Sequence, residues 1–224
     1  MTYRIKKYSV AFICFFVYQL IGSFQTVFDL SILHFEVLLM LYLLLLLYFL
    51  TSTKYLNDLN IFKLSNNNLK TIRYCIPLLI IPIINFFNNR SIDFQNIILC
   101  LLTVFMEELF FRGILLKTFE HFSLSKSFLL SSMFFSFYHL SNLFVSYDII
   151  YTIFQVILSF FVGYQLCFIT IKSKSLLPCI IVHFLMNITG SGVILNIYSY
   201  VLCIIVLFVY FLYLLNLSQE RSRV

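Results

Sequence analysis

Of the chain's 224 residues, 62% are hydrophobic and only 11% charged, with a mean hydropathy of +0.99. A soluble domain carries about a quarter charged residues, so this composition excludes an ordinary water-soluble protein and points to a polytopic membrane protein. The formal net charge of +6 does not call for nucleic acid: no basic stripe or binding motif is present, and basic loops facing anionic inner-leaflet lipids account for it.

With about 20 apolar residues needed per spanning helix, eight segments are expected, near 8–28, 35–51, 74–88, 94–116, 126–140, 148–171, 176–190 and 193–215. The fold class is therefore all-α, a membrane helical bundle. Transmembrane strands alternate apolar and polar residues, whereas Leu43 to Leu47 is apolar on every side. The first segment follows Arg4, Lys6 and Lys7 and is longer than a signal peptide's apolar region of about 7 to 15 residues, so it reads as a retained signal-anchor. The only sizeable polar interval, 52–73, reads as a cytoplasmic loop in which Leu56, Leu59, Ile61, Phe62 and Leu64 allow a short interfacial helix. The third and seventh segments are short, their edges blurred by Pro77, Pro82 and Pro178.

The basic residues orient the bundle. With the N-terminus inside, the cytoplasmic segments hold Arg4, Lys6, Lys7, Lys54, Lys63, Lys70, Arg73, Lys117, Lys126, Lys172, Lys174, Arg221 and Arg223, thirteen of the fifteen Lys and Arg. Arg90 falls outside and Arg112 within a span. Both termini are thus expected in the cytoplasm, with the chain forming one membrane domain over 1–224. Cys14, Cys75, Cys100, Cys167, Cys179 and Cys203 lie in or beside apolar spans without CxxC spacing and read as small buried hydrophobes.

Within the fourth span, Met106-Glu107-Glu108-Leu109-Phe110-Phe111-Arg112 places three ionisable groups where each costs several kcal/mol unless paired or wet. At about 100° per residue, Glu108 and Arg112 share a helix face, acid four residues before base, and are expected to pair. Glu107 stands about 140° from Arg112 around the helix, which leaves it as the candidate general base. A structural knot, both acids merely neutralising Arg112, is the competing reading of this motif. His139 ends the fifth span, and His183 and Asn187 share one face of the seventh. At about 1.5 Å per residue, Glu107 lies about 15 Å from Lys117, His183 about 14 Å from Lys174 and His139 about 20 Å from Lys126, a similar depth measured from cytoplasmic markers.

Such groups suit amide hydrolysis. A desolvated carboxylate is a better base, so Glu107 could take a proton from water. His139 could orient that water, and His183 with the Asn187 amide could donate to a developing oxyanion, a role worth roughly 3 to 4 kcal/mol per donor. No serine or cysteine stands as a nucleophile beside a base, which favours direct attack by water.

In this order and on three helices, Glu107-Glu108-x-x-x-Arg112, Phe135-x-x-x-His139 and His183-x-x-x-Asn187 resemble the motifs of the CPBP family, the CAAX proteases and bacteriocin-processing enzymes also called the Abi family. The likeness covers about 94–190, and Ser175-Leu-Leu-Pro178 resembles the family's approach to its last motif. It implies an intramembrane endopeptidase in which Glu107 with His139 activates water, His183 and Asn187 form the oxyanion hole, and Glu108 with Arg112 supports the site. It also implies catalysis without metal or other cofactor. Zinc on Glu107, His139 and His183 is the alternative, though no zincin His-Glu-x-x-His is present.

The partners expected are membrane lipids and a peptide or protein substrate. Richness in Asn, Ile, Lys, Phe and Tyr suggests a bacterial inner-membrane protein from an AT-rich genome. In bacterial members the resemblance points to processing of a bacteriocin or signalling-peptide precursor, or to self-immunity. A non-enzymatic immunity or scaffold protein is the second class. A proton-coupled transporter is a third, for which inverted repeats and matched broken helices are missing.

Overall fold

The computed structural model describes residues 13, 16–17, 32–52, 66–87, 97–145, 148–190 and 197–220, and among them every regular element is helical. Seven rods result among these residues. They are α1 (Ile32–Ser52); α2, made of Asn66–Cys75, a 3-10 turn Ile76–Leu79 and Ile80–Phe87; α3, made of Ile97–Glu108, a π-helical stretch Leu109–Leu115 and Leu116–Thr118; α4 (Leu124–Tyr138), running into a 3-10 segment His139–Val145; α5 (Ile149–Ser173); α6 (Leu177–Gly190); and α7 (Ile197–Glu220). The expected helix near 8–28 lies outside the described residues, apart from the helical Ile13, Phe16 and Val17.

Two helices, Ile149–Ser173 and Ile197–Gln219, are long and apolar enough to cross a membrane alone, with shorter apolar helices at Glu36–Tyr48, Thr71–Phe87 and Leu177–Thr189. The polar interval expected as a loop over 52–73 is corrected at both ends. Ser52 closes α1 and 66–73 belong to α2, Asn66 to Asn68 opening a helix because asparagine suits its unsatisfied first turn. The stretch proposed for an interfacial helix, Leu56 to Leu64, lies outside the described residues. The prolines also act differently from expectation. Pro77, lacking an N–H, tightens α2 locally, and Ile80 N–H donates three residues back to Pro77 O. Pro178 sits in the first turn of α6, where a missing N–H is harmless.

The rods pack around α5, which meets α4, α7 and α2 and is buried without a break from Val162 to Thr170. Asp148 caps its start, accepting from Ile150 N at 2.7 Å and Tyr151 N at 3.4 Å. Its end turns sharply. Lys174 adopts a left-handed conformation (φ 55), Ser173 Oγ donates to Ser175 O at 2.8 Å, and Ser175 Oγ accepts from Leu177 N at 3.2 Å. That turn sends α6 back beside α5 and against α3. In α1, Leu39, Tyr42 and Leu46 form a buried stripe while Leu41, Leu44 and Leu45 stay exposed, as suits a helix whose outer solvent is as apolar as its core.

Candidate active site

The site is assembled on α3, α4 and α6. Halfway along α3 the helix widens at Leu109 into i→i+5 bonding, so that Leu116 N–H reaches Phe111 O. Such stretches are rare and concentrate at functional sites. Two hydroxyls brace this one: Ser131 Oγ of α4 donates to Phe111 O and Thr118 Oγ1 to Ile114 O, each at 2.8 Å. Regular α geometry was expected throughout this span; the widening begins just after Glu108 and still leaves Glu108 and Arg112 in contact.

Arg112 Nη1 lies 3.0 Å from Glu108 Oε1, with both side chains fully buried. The contact is an ion pair outside hydrogen-bond geometry, since no Arg112 nitrogen has a protein acceptor in proper alignment. The guanidinium is compensated by a ring as well, its carbon standing 4.2 Å from the Phe135 centroid, a favourable cation–π placement in a dry site.

His183 of α6 joins the two acids. Its Nδ1 lies 2.7 Å from Glu108 Oε1 and its Nε2 lies 3.5 Å from Glu107 Oε2. Glu107 is therefore turned toward α6 and away from Arg112, while Glu108 is shared between Arg112 and His183. His139 is fixed by a different device: at the C-terminus of α4 its Nδ1 donates to Phe135 O at 2.9 Å. A carbonyl can only accept, so Nδ1 carries the proton and Nε2 of a neutral ring offers a lone pair. The His139 and His183 rings both stand edge to face with Phe135, at 5.0 and 5.7 Å between centroids. The structure thus brings Glu107, Glu108, Arg112 and His183 into direct contact and adds His139 through Phe135. Asn187 follows one turn beyond His183 on α6, half-buried.

Among the described residues no group of three His, Cys, Asp or Glu side chains is set to hold a metal ion; the Nδ1 of His183 is already turned to Glu108. The described cysteines, Cys75, Cys100, Cys167, Cys179 and Cys203, are free thiols. Two features escaped the sequence reading. The π stretch leaves no local signature in Leu109 to Leu115. The close seat of Phe135 against Gly163, the single glycine of α5, could have been suspected, because small residues in membrane helices mark close approach.

Buried acids gripping an imidazole inside apolar helices define a polytopic membrane protein with an internal polar site. Residues 91–189 match the family model described as type II CAAX prenyl endopeptidase Rce1-like, a segment that contains all seven residues of the three motifs. This segment, 99 of the 224 residues, is similar to the CAAX prenyl endopeptidases, and that likeness together with the apolar helices supports a membrane protease. No curated protein matches the chain.

Proposed function

We propose that the chain is a glutamate-dependent, metal-independent intramembrane endopeptidase that attacks its substrate with water. The observation that carries this reading is the buried imidazole of His183, held at 2.7 Å by Glu108 and facing Glu107 at 3.5 Å. In the reaction, Glu107 takes a proton from water as the water oxygen bonds to the scissile carbonyl carbon. His139 accepts a hydrogen bond from that water through Nε2. The carbonyl oxygen gains negative charge, and His183 Nε2–H with the Asn187 amide donates to it. When the C–N bond breaks, the proton held by Glu107 passes to the leaving nitrogen.

The geometry sharpens the role of Glu108. Since Nδ1 of His183 is committed to a carboxylate, donation from Nε2 requires the ring to hold both protons. Glu108 stabilises that imidazolium, and the formal charges of Glu107, Glu108, Arg112 and His183 then cancel, which a low-dielectric site favours. Arg112 keeps Glu108 from swinging away.

The membrane is the bacterial cytoplasmic membrane, crossed eight times with both termini inside, a reading supported by the thirteen basic residues on the cytoplasmic side. The substrate is an amphipathic leader of a bacteriocin or signalling-peptide precursor, reaching the site from the cytoplasm or sideways from lipid. Cells expressing the wild-type chain or Glu107→Gln provide the test, their peptide products compared by mass spectrometry. Processing should vanish in the variant while the protein still accumulates; unchanged processing would leave an immunity or scaffold role instead. Cleavage of labelled peptides only from the external face of sealed vesicles would contradict the direction of entry.

A further inference from the structure

Phe135 touches the guanidinium and both imidazoles of the site. Its centroid lies 4.2 Å from the Arg112 guanidinium carbon, 5.0 Å from the His139 ring and 5.7 Å from the His183 ring. The two imidazoles stand at 82° and 86° to it, so a small tilt of this one ring moves both. Phe111, from the π stretch, closes another side at 5.0 Å. Behind the ring is Gly163 of α5. A Cβ added at Gly163 would stand 3.1 Å from Phe135 Cδ1, 3.2 Å from Ser132 Cα and 3.3 Å from Ser132 Cβ. Those distances are shorter than ordinary carbon contacts of about 3.5 to 4.0 Å. The nearest atom is also the one that can yield, because an aromatic ring turns more easily than a helix backbone shifts.

We infer that Gly163 is a positioning residue for the reaction: the room left by its missing side chain seats Phe135, and Phe135 sets the approach of His139 and His183 to the two glutamates. This rests on the reading of those histidines as water-orienting and oxyanion-binding groups. Even a methyl group at Gly163 pushes the ring toward the site. Displacements of less than an ångström at reacting groups cost rate out of proportion to their size, while substrate affinity, set elsewhere, changes little.

The chain offers a clean probe, since it has only four histidines, His34, His121, His139 and His183, and two of them face Phe135. The full-length protein with ring-labelled histidine, in detergent, is compared by NMR with Gly163→Ala. The His139 and His183 signals should move together while those of His34 and His121 stay. Cleavage of an internally quenched amphipathic peptide should show kcat lower by about tenfold and KM within about twofold. Unmoved His139 and His183 signals would overturn the inference, as would moved signals with unchanged cleavage. If Gly163→Ala fails to accumulate, Gly163→Ala with Phe135→Leu decides the matter. That pair relieves the ring contact and leaves the Ser132 contacts, so recovered accumulation supports the inference and continued failure assigns the clash to the α4 backbone and overturns it. The histidine signals do not depend on activity, so a failure of the protease reading, seen as unchanged processing by Glu107→Gln, stays distinguishable from a failure here.

Discussion

Helices α3 and α7 are both apolar by composition, yet they occupy opposite places in the molecule. In α3 every residue from Met106 to Leu116 is buried. In α7 burial is confined to the stripe of Cys203, Leu207, Leu214 and Ser218, and Tyr198 is 87% exposed. Hydrophobicity does not separate the two, because lipid is as apolar as the core it surrounds. What separates them is charge. A helix carrying Glu107, Glu108 and Arg112 can be accommodated only where other helices supply partners and exclude lipid. A helix with no charged residue before Glu220 can stand at the edge.

The largest effects should therefore come from α3. Glu107→Gln preserves size and removes the proposed base, and peptide cleavage should fall by about 10² to 10⁴-fold, the usual contribution of general-base catalysis. Thermal unfolding in detergent should change less than for Arg112→Met, because the amide stays beside His183, 3.5 Å from Nε2, and Glu108 still pairs with Arg112. A parallel loss of rate and stability would mean that Glu107 belongs to the structural knot after all.

Next in size is Arg112→Met. It leaves Glu108 buried beside Glu107 without the cation, at a cost of about 3 to 5 kcal/mol, read as a lowered unfolding midpoint and reduced accumulation. Removing both partners separates structure from chemistry. Arg112→Met with Glu108→Leu should restore most of the stability, since an apolar pair can replace a buried ion pair. It should not restore cleavage, because His183 Nδ1 then has no carboxylate at 2.7 Å. Recovery of both stability and cleavage would mean that Glu108 plays no part in positioning His183.

What could be read in advance follows the same division. The ionisable residues within the apolar helices were legible because each is improbable in a membrane span, so Glu107, Glu108, Arg112, His139 and His183 stood out one by one. Their pairing was partly legible: Glu108 with Arg112 follows from helical spacing, whereas the grip of His183 on Glu108 joins residues 75 positions apart and depends on how α6 folds back after Ser175. The π stretch was not legible, because i→i+5 bonding is decided by tertiary braces such as Ser131 on Phe111 O, not by the residues between Leu109 and Leu115. The polar start of α2 was misread since Asn66 to Asn68 suits a loop and a helix's first turn equally.

A smaller effect marks the join between the two regions. Tyr164 of α5 and Ser218 of α7 share a buried hydrogen bond of 2.8 Å, a polar contact that ties α7 to α5. Tyr164→Phe keeps the ring, which also meets Phe128 and Phe211 edge-on, and removes only the hydroxyl. The expected loss is about 1 kcal/mol, seen as a modest fall in the unfolding midpoint with cleavage unaffected. A loss of cleavage without a loss of stability would show that α7 communicates with the site.

The smallest effect should come from the outer face of α7. Tyr198→Leu exchanges one lipid-compatible side chain for another at a position 87% exposed, so unfolding should change by less than about 0.5 kcal/mol, as for surface substitutions away from special contacts. Tyrosine at a helix end also anchors at the bilayer interface, and the same substitution in vesicles isolates that role from packing. If α7 is held by its stripe at Cys203, Leu207, Leu214 and Ser218, stability in detergent and in bilayers should respond equally little. A drop confined to bilayers would instead make the interface, rather than α5, the principal support of α7, and the contrast with α3 would then rest on two different surroundings as well as on charge.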